Sequence, residues 1–152
     1  MTAPPQSPMA RAFTEAEAAG ARGEVPIGAV VVEAASGRVL AAAGNRTKED
    51  HDPTGHAELL AIRAAARLLG SERLTACDLY VTLEPCPMCA QAISLARIRR
   101  LYYGAFDPKG GGVEHGPRLY AQPTCHHAPE VYGGIEETRA GELLREFFRE
   151  RR

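Results

Sequence analysis

Two short clusters in this chain are built from residues that ligate metals and move protons. His56-Ala57-Glu58 sets a carboxylate two positions after an imidazole, and Cys86-Pro87-Met88-Cys89 sets two thiols three residues apart. A Cys-x-x-Cys with proline inside it suits the opening of a helix, because proline is tolerated in a first turn and residues three apart share a face. Both sulfurs can then address one point. Zinc takes thiolate at ~2.3 Å and imidazole at ~2.0–2.1 Å in tetrahedral sites, so His56, Cys86 and Cys89 supply three ligands for one Zn2+ per subunit. Helix N-termini aimed at that point favour the thiolates further, since backbone dipoles there stabilise negative charge.

The ligand count separates two kinds of zinc site. A structural zinc closes its fourth position with protein, whereas a catalytic zinc leaves it to water. Glu58 is placed to reach such a water without binding metal. With the water pKa lowered toward ~7, a carboxylate beside it can take a proton and later return it to a leaving group. That is the chemistry of hydrolytic deamination of a base. Other readings stay open on these residues alone: a Cys-x-x-Cys also serves as a redox pair or a structural half-site. Cys77, Cys125, His51 or His126 could close the metal site, and Glu58 could do no more than favour its helix N-terminus.

These residues need helices that start at the right places. Ala10 to Ala21 is rich in Ala and Glu and ends at Gly20 and Gly23, which predicts a helix. The period then changes: Ile27-Gly-Ala-Val-Val-Val32 and Arg38-Val-Leu-Ala-Ala42, joined through Ala35-Ser36-Gly37, predict a β-hairpin. Asn45 to Gly55 is a polar loop. His56 to Leu69 carries Leu59, Leu60, Ile62, Ala66 and Leu69 at helical spacing, with Gly70 as its stop. Leu79 to Leu83 predicts a strand, Pro87 to Ala96 a helix and Arg100 to Gly104 a strand. A Gly-rich loop from Asp107 to Gly116 leads into a weakly patterned stretch to about Ala128. Glu130 to Tyr132 reads as a last strand and Ile135 to Arg149 as a last helix. An opening hairpin followed by alternating helices and strands implies an α/β mixed sheet with helices on both faces. Ligands in such sheets sit at strand C-terminal ends, beside helix N-termini.

The chain has 152 residues, 45% hydrophobic and 24% charged, the balance of one ordinary globular domain with a core that needs no disulfides. Residues 1–9 (Met1-Thr-Ala-Pro-Pro-Gln-Ser-Pro8, then Met9) read as a flexible leader and residues 10–152 as a single domain. No basic, apolar secretory signal opens the chain and no apolar run approaches the ~20 residues of a membrane span, so a soluble cytoplasmic protein is expected. In that compartment the four cysteines read as ligands or reduced core residues. Net charge is −1, but residues 1–96 carry 8 basic and 11 acidic groups while 97–152 carry 10 and 8. Any surface for a polyanion is therefore local and C-terminal.

His-Ala-Glu followed by Thr82-Leu-Glu-Pro-Cys-Pro-Met-Cys89 resembles the zinc-dependent deaminases of nucleosides and bases, and among them the bacterial tRNA adenosine deaminases. Glu24-Val-Pro-Ile-Gly-Ala-Val-Val31, Gly44-Asn-Arg46, Asp52-Pro-Thr54, Gly104-Ala105, Asp107-Pro-Lys109, Gly134-Ile135 and Phe147-Phe-Arg-Glu-Arg-Arg152 extend the likeness from about residue 10 to the end. The resemblance implies a three-layer α/β/α cytidine-deaminase-like fold with a central mixed five-stranded sheet. It also implies a homodimer that converts adenosine to inosine at the wobble position of a tRNA anticodon stem-loop. By position His56, Cys86 and Cys89 match the zinc ligands and Glu58 the proton shuttle. Asn45 matches a contact to the flipped nucleotide, Asp107 lies in a loop touching its neighbour, and the Cys86 N–H would help polarise the substrate. The chain departs from the family pattern in Gly110-Gly-Gly-Val-Glu-His-Gly116 and at His126, where asparagine is common.

Substrate choice divides three ways: an RNA-editing adenosine deaminase, a deaminase of free guanine or cytosine, or a zinc-stabilised interaction domain without catalysis. A poised Glu58 speaks against the last. RNA binding needs cations that follow phosphates and flat groups that stack. Candidates are Arg97, Arg99, Arg100 and Lys109, then Arg145, Arg149, Arg151 and Arg152 beside Phe147 and Phe148. The two phenylalanines are equally consistent with core packing. Gly110 to Gly112 lacks the Lys-Ser/Thr ending of a phosphate loop, and Tyr102 and Tyr103 read as ordinary strand residues.

Overall fold

The computed structural model describes residues 6–151. Along the chain lie α1 (Pro8–Ala21), β1 (Gly28–Glu33), β2 (Val39–Gly44), α2 (Ala57–Leu69), β3 (Cys77–Leu83), α3 (Pro87–Leu95), β4 (Arg100–Ala105), β5 (Glu130–Tyr132) and α4 (Glu137–Glu150). The five strands form one sheet in the order β2-β1-β3-β4-β5. β1 runs antiparallel to both β2 and β3, while β3, β4 and β5 run parallel to one another. The sheet is mixed because a hairpin opens it and helical crossovers extend it.

Alternation along β1 assigns the two faces. Val30 and Val32 pack with Met9, Ala12 and Phe13 of α1 and Ala140 of α4. Ala29 and Val31 point the other way, into the core formed with Ala57, Ala61 and Ile62 of α2 and Ala90 and Ile93 of α3. Helices therefore cover both faces, giving three layers. The β-bearing turns that follow β3 and β4 open at the same end of the sheet, the end at which a ligand is expected.

The helix caps explain the boundaries. Gly70 ends α2 in the left-handed conformation that glycine adopts without steric cost. At the start of α1 the Ser7 side chain accepts the Ala10 N–H at 3.1 Å and Pro8 takes the first helical position. The helix thus begins two residues before the expected Ala10, and Met9 is buried in the core. The leader expected over residues 1–9 is shortened accordingly at its C-terminal end; residues 1–5 lie outside the described residues.

Gly28 sets how closely α1 approaches the sheet. A methyl group there would lie 1.9 Å from the Ala12 carbonyl oxygen and 2.6 Å from the Ala16 nitrogen, both backbone atoms that cannot swing aside. Gly28→Ala is expected to cost ~3 kcal/mol or more by forcing helix from strand. Urea unfolding checks this as a lowered midpoint at unchanged m-value.

Candidate active site

His56 and Cys86 occupy equivalent places in two helices. Each is the N-cap residue, in extended backbone conformation, and neither side chain is spent on capping. Pro87 takes the first position of α3, where its missing N–H costs nothing, and Cys89 follows in the first turn. The Sγ atoms of Cys86 and Cys89 lie 3.6 and 3.5 Å from His56 Nδ1. Ligands at ~2.0–2.3 Å on the corners of a tetrahedron stand ~3.6 Å apart, so the three atoms fit zinc. Among the described residues no other histidine, cysteine or carboxylate joins this cluster. Cys77 is buried at the start of β3, and the Cys125 thiol donates to the His127 carbonyl at 3.1 Å. Neither closes the site, nor do His51 and His126.

Glu58 lies on the first turn of α2 with only 4% of its surface exposed. It is thus outside the ligand cluster and is not a solvated helix-end charge. Burial pushes its carboxyl up to about 7, an effect the Cys86 charge reinforces and His56 opposes. The cysteines divide one proton between them. A hydrogen bond from the Cys89 thiol, helped by His56 and by the Cys89 backbone N–H, holds Cys86 down to about 4, while the same bond and burial hold Cys89 up. A coordinating metal deprotonates such thiols outright.

The first N–H of α2 has its own acceptor. Asn45 is 6% exposed and its Oδ1 accepts the Ala57 N–H at 2.9 Å, which leaves its amide NH2 without a partner among the described residues. Asn45 therefore holds the turn that carries His56, a structural part that a turn-forming residue does not advertise in sequence. Glu24, also buried, accepts the Lys48 and Glu49 N–H groups at 3.2 and 2.8 Å and shapes the loop between β2 and α2. Burial works to raise its pKa, but these N–H groups outweigh it and hold the carboxyl below the ordinary glutamate range.

Asp107 lies two residues beyond the end of β4. Its Oδ1 accepts the Gly110 and Lys109 N–H groups at 3.0 and 3.3 Å, tightening the loop it begins. The stretch from 112 to 128, weakly patterned in sequence, folds back over α3 through a short 3₁₀ turn at Leu119–Ala121. Tyr120 donates to the Ala90 carbonyl at 2.9 Å and covers the zinc helix.

The two adjacent phenylalanines of α4 face different surroundings. Ala140, Leu143 and Phe147 form the inner stripe of α4, so Phe147 is 7% exposed and has the Arg151 guanidinium 3.6 Å over its ring. The Phe147 ring is thus covered within the protein. Phe148 turns outward, 51% exposed, into a hollow of 510 Å³ shared with Asp107, Lys109 and Leu144. Arg145 and Arg149 flank Phe148 and Lys109. Arg99 and Arg100 are at the opposite end of β4, ion-paired with Asp78 at 2.8 Å and Glu130 at 2.6 Å. They do not reach the site. Arg152 lies outside the described residues.

A three-layer mixed sheet, three zinc-type ligands on paired helix N-termini and a buried carboxylate beside them define the class of zinc-dependent hydrolytic deaminases. The family model for the cytidine and deoxycytidylate deaminase zinc-binding region matches residues 4–105. The chain belongs to that family. It is 63% identical to the tRNA-specific adenosine deaminase of Agrobacterium fabrum over 144 residues, 95% of this chain and 93% of that one. A structure solved in studies of A-to-I editing by tRNA:A34 deaminases superposes with a TM-score of 0.87 at 62% identity, covering 90% of this chain and 98% of that one. The guanine deaminase of Nitrosomonas europaea has the same fold more distantly, with a TM-score of 0.81 at 26% identity over 97% and 86% of the two chains.

Proposed function

We propose that this protein hydrolyses the 6-amino group of adenosine in a tRNA anticodon, giving inosine and ammonia. One observation carries the catalytic part: Glu58 is buried beside His56, Cys86 and Cys89 without being one of the ligands. Zinc, when bound, supplies a water acidified toward neutral pH. Glu58 takes a proton on its carboxylate and returns it to the departing nitrogen. The Cys86 N–H polarises the base, and Asn45, through its unpartnered amide, holds the nucleotide.

The choice of substrate rests on the tRNA-specific relatives and on the hollow beside Asp107. Lys109, Arg145 and Arg149 can follow phosphates there, and Phe148 offers a ring for an unstacked base. A free-base deaminase is the second reading, favoured by the shared fold of the guanine deaminase. The two separate on salt. Each phosphate contact to single-stranded RNA contributes a log–log slope of about −0.7, so Arg145→Ala with Arg149→Ala is expected to flatten the slope for stem-loop binding by ~1.4. Zinc content should stay at the parent level. An unchanged slope and affinity would return the advantage to the free-base reading.

We also infer a homodimer acting in the cytoplasm. Met88 and Leu95 on α3 and Leu68 and Leu69 on α2 are exposed apolar side chains on the helices that carry the ligands. Such an apolar face is stabilised by burial against a second copy. Light scattering at micromolar concentration should return twice the chain mass; a monomer would contradict the dimer. No helix among the described residues is long and apolar enough to cross a membrane.

A further inference from the structure

Glu84 directly follows β3 and opens the turn that leads into α3, and its side chain is buried. Its two oxygens collect an unusual number of donors. Oε1 accepts the Asp107 N–H at 3.0 Å and pairs with His115 Nδ1 at 2.8 Å. Oε2 accepts the N–H groups of Val113, Glu114 and His115 at 3.2, 2.9 and 3.0 Å. The loop from Asp107 to His115 is therefore wrapped around one carboxylate. Its glycines permit this: a methyl group at Gly111 would lie 2.4 Å from Glu84 Oε2, and one at Gly112 would lie 2.6 Å from Pro87 backbone atoms. The Gly112 N–H donates to the Pro85 carbonyl at 2.8 Å, and Tyr103 donates to Glu114 from beneath. The same loop holds Lys109 and Asp107 at the hollow beside Phe148.

We propose that Glu84 and His115 are positioning residues that clasp the Asp107–His115 loop to the Cys86–Pro87 turn and so set the fit of a polynucleotide substrate. The proposal rests on the RNA reading above. It also accounts for the departure of residues 110–116 from the family pattern: bare glycines and a histidine build the clasp here. Five contacts on one buried carboxylate exceed what a helix lead-in needs, and they converge on the segment bearing Asp107.

The clasp acts on binding more than on the chemical step, which makes it testable by the split between KM and kcat. His115 is partly exposed, so His115→Ala removes one charge-assisted bond without opening the core. It is expected to raise KM for an anticodon stem-loop about tenfold while kcat stays within about twofold and zinc content is unchanged. His115→Gln, which can still donate to Glu84, should restore most of the loss. Hydrogen exchange reads the clasp itself: the Val113, Glu114 and His115 amides should lose protection in His115→Ala. A KM at the parent value, or a loss in kcat alone, overturns the proposal while leaving the RNA reading standing. A parent protein that leaves the stem-loop unedited overturns both.

Discussion

Glu58→Gln is expected to retain zinc at the parent stoichiometry and to lose turnover by ~10²–10⁴, the contribution typical of a positioned proton-transfer group. Glutamine has the same shape and enters the same buried site at the first turn of α2, so the helix and the three ligands should stay in place. It can hydrogen-bond but cannot shuttle a proton. Metal analysis and single-turnover kinetics on the same preparation separate the two properties. Near-parent turnover would remove Glu58 from the mechanism, whereas loss of zinc would make it a ligand after all.

Cys86→Ala is expected to fail one step earlier. Two ligands remain, from two different helices. Zinc should fall to little or none after dialysis and activity should disappear with it. Because metal bound to the folded state stabilises it by mass action, a chelator should lower the parent's melting temperature and leave that of Cys86→Ala unchanged. Retention of zinc and chelator sensitivity by the variant would place the metal elsewhere.

Periodicity carried the fold further than chemistry carried the site. The hairpin, the ligand-bearing helices and even the three-residue strand Glu130–Tyr132 lie where β-branched runs, Gly70 and Pro87 put them. The start of α1 is written as Ser7-Pro8, a cap followed by a first-turn proline, two residues ahead of the Ala-rich stretch whose propensity is the stronger signal. The zinc ligands were legible because their spacing is itself the chemistry. Glu84 was not: inside Thr82 to Cys89 it is one more motif residue, and its importance comes from N–H groups more than twenty positions away. Residues 112–128 looked unpatterned because their order comes from Glu84, Tyr103 and Ala90 rather than from an amphipathic stripe. The adjacent phenylalanines show the limit from the other side, since adjacent helix positions differ by ~100° in direction and the packing of α4 on the sheet and α1 decides which faces out.

Zinc-assisted deamination and an RNA substrate are tested together by one measurement. Zinc-loaded protein would be incubated separately with an anticodon stem-loop RNA, free adenosine, guanine and cytosine, and the products separated by chromatography after nuclease digestion. Inosine is expected from the stem-loop at its wobble position, with the three small molecules returned unchanged. Conversion of guanine or cytosine with the RNA left intact would contradict that expectation.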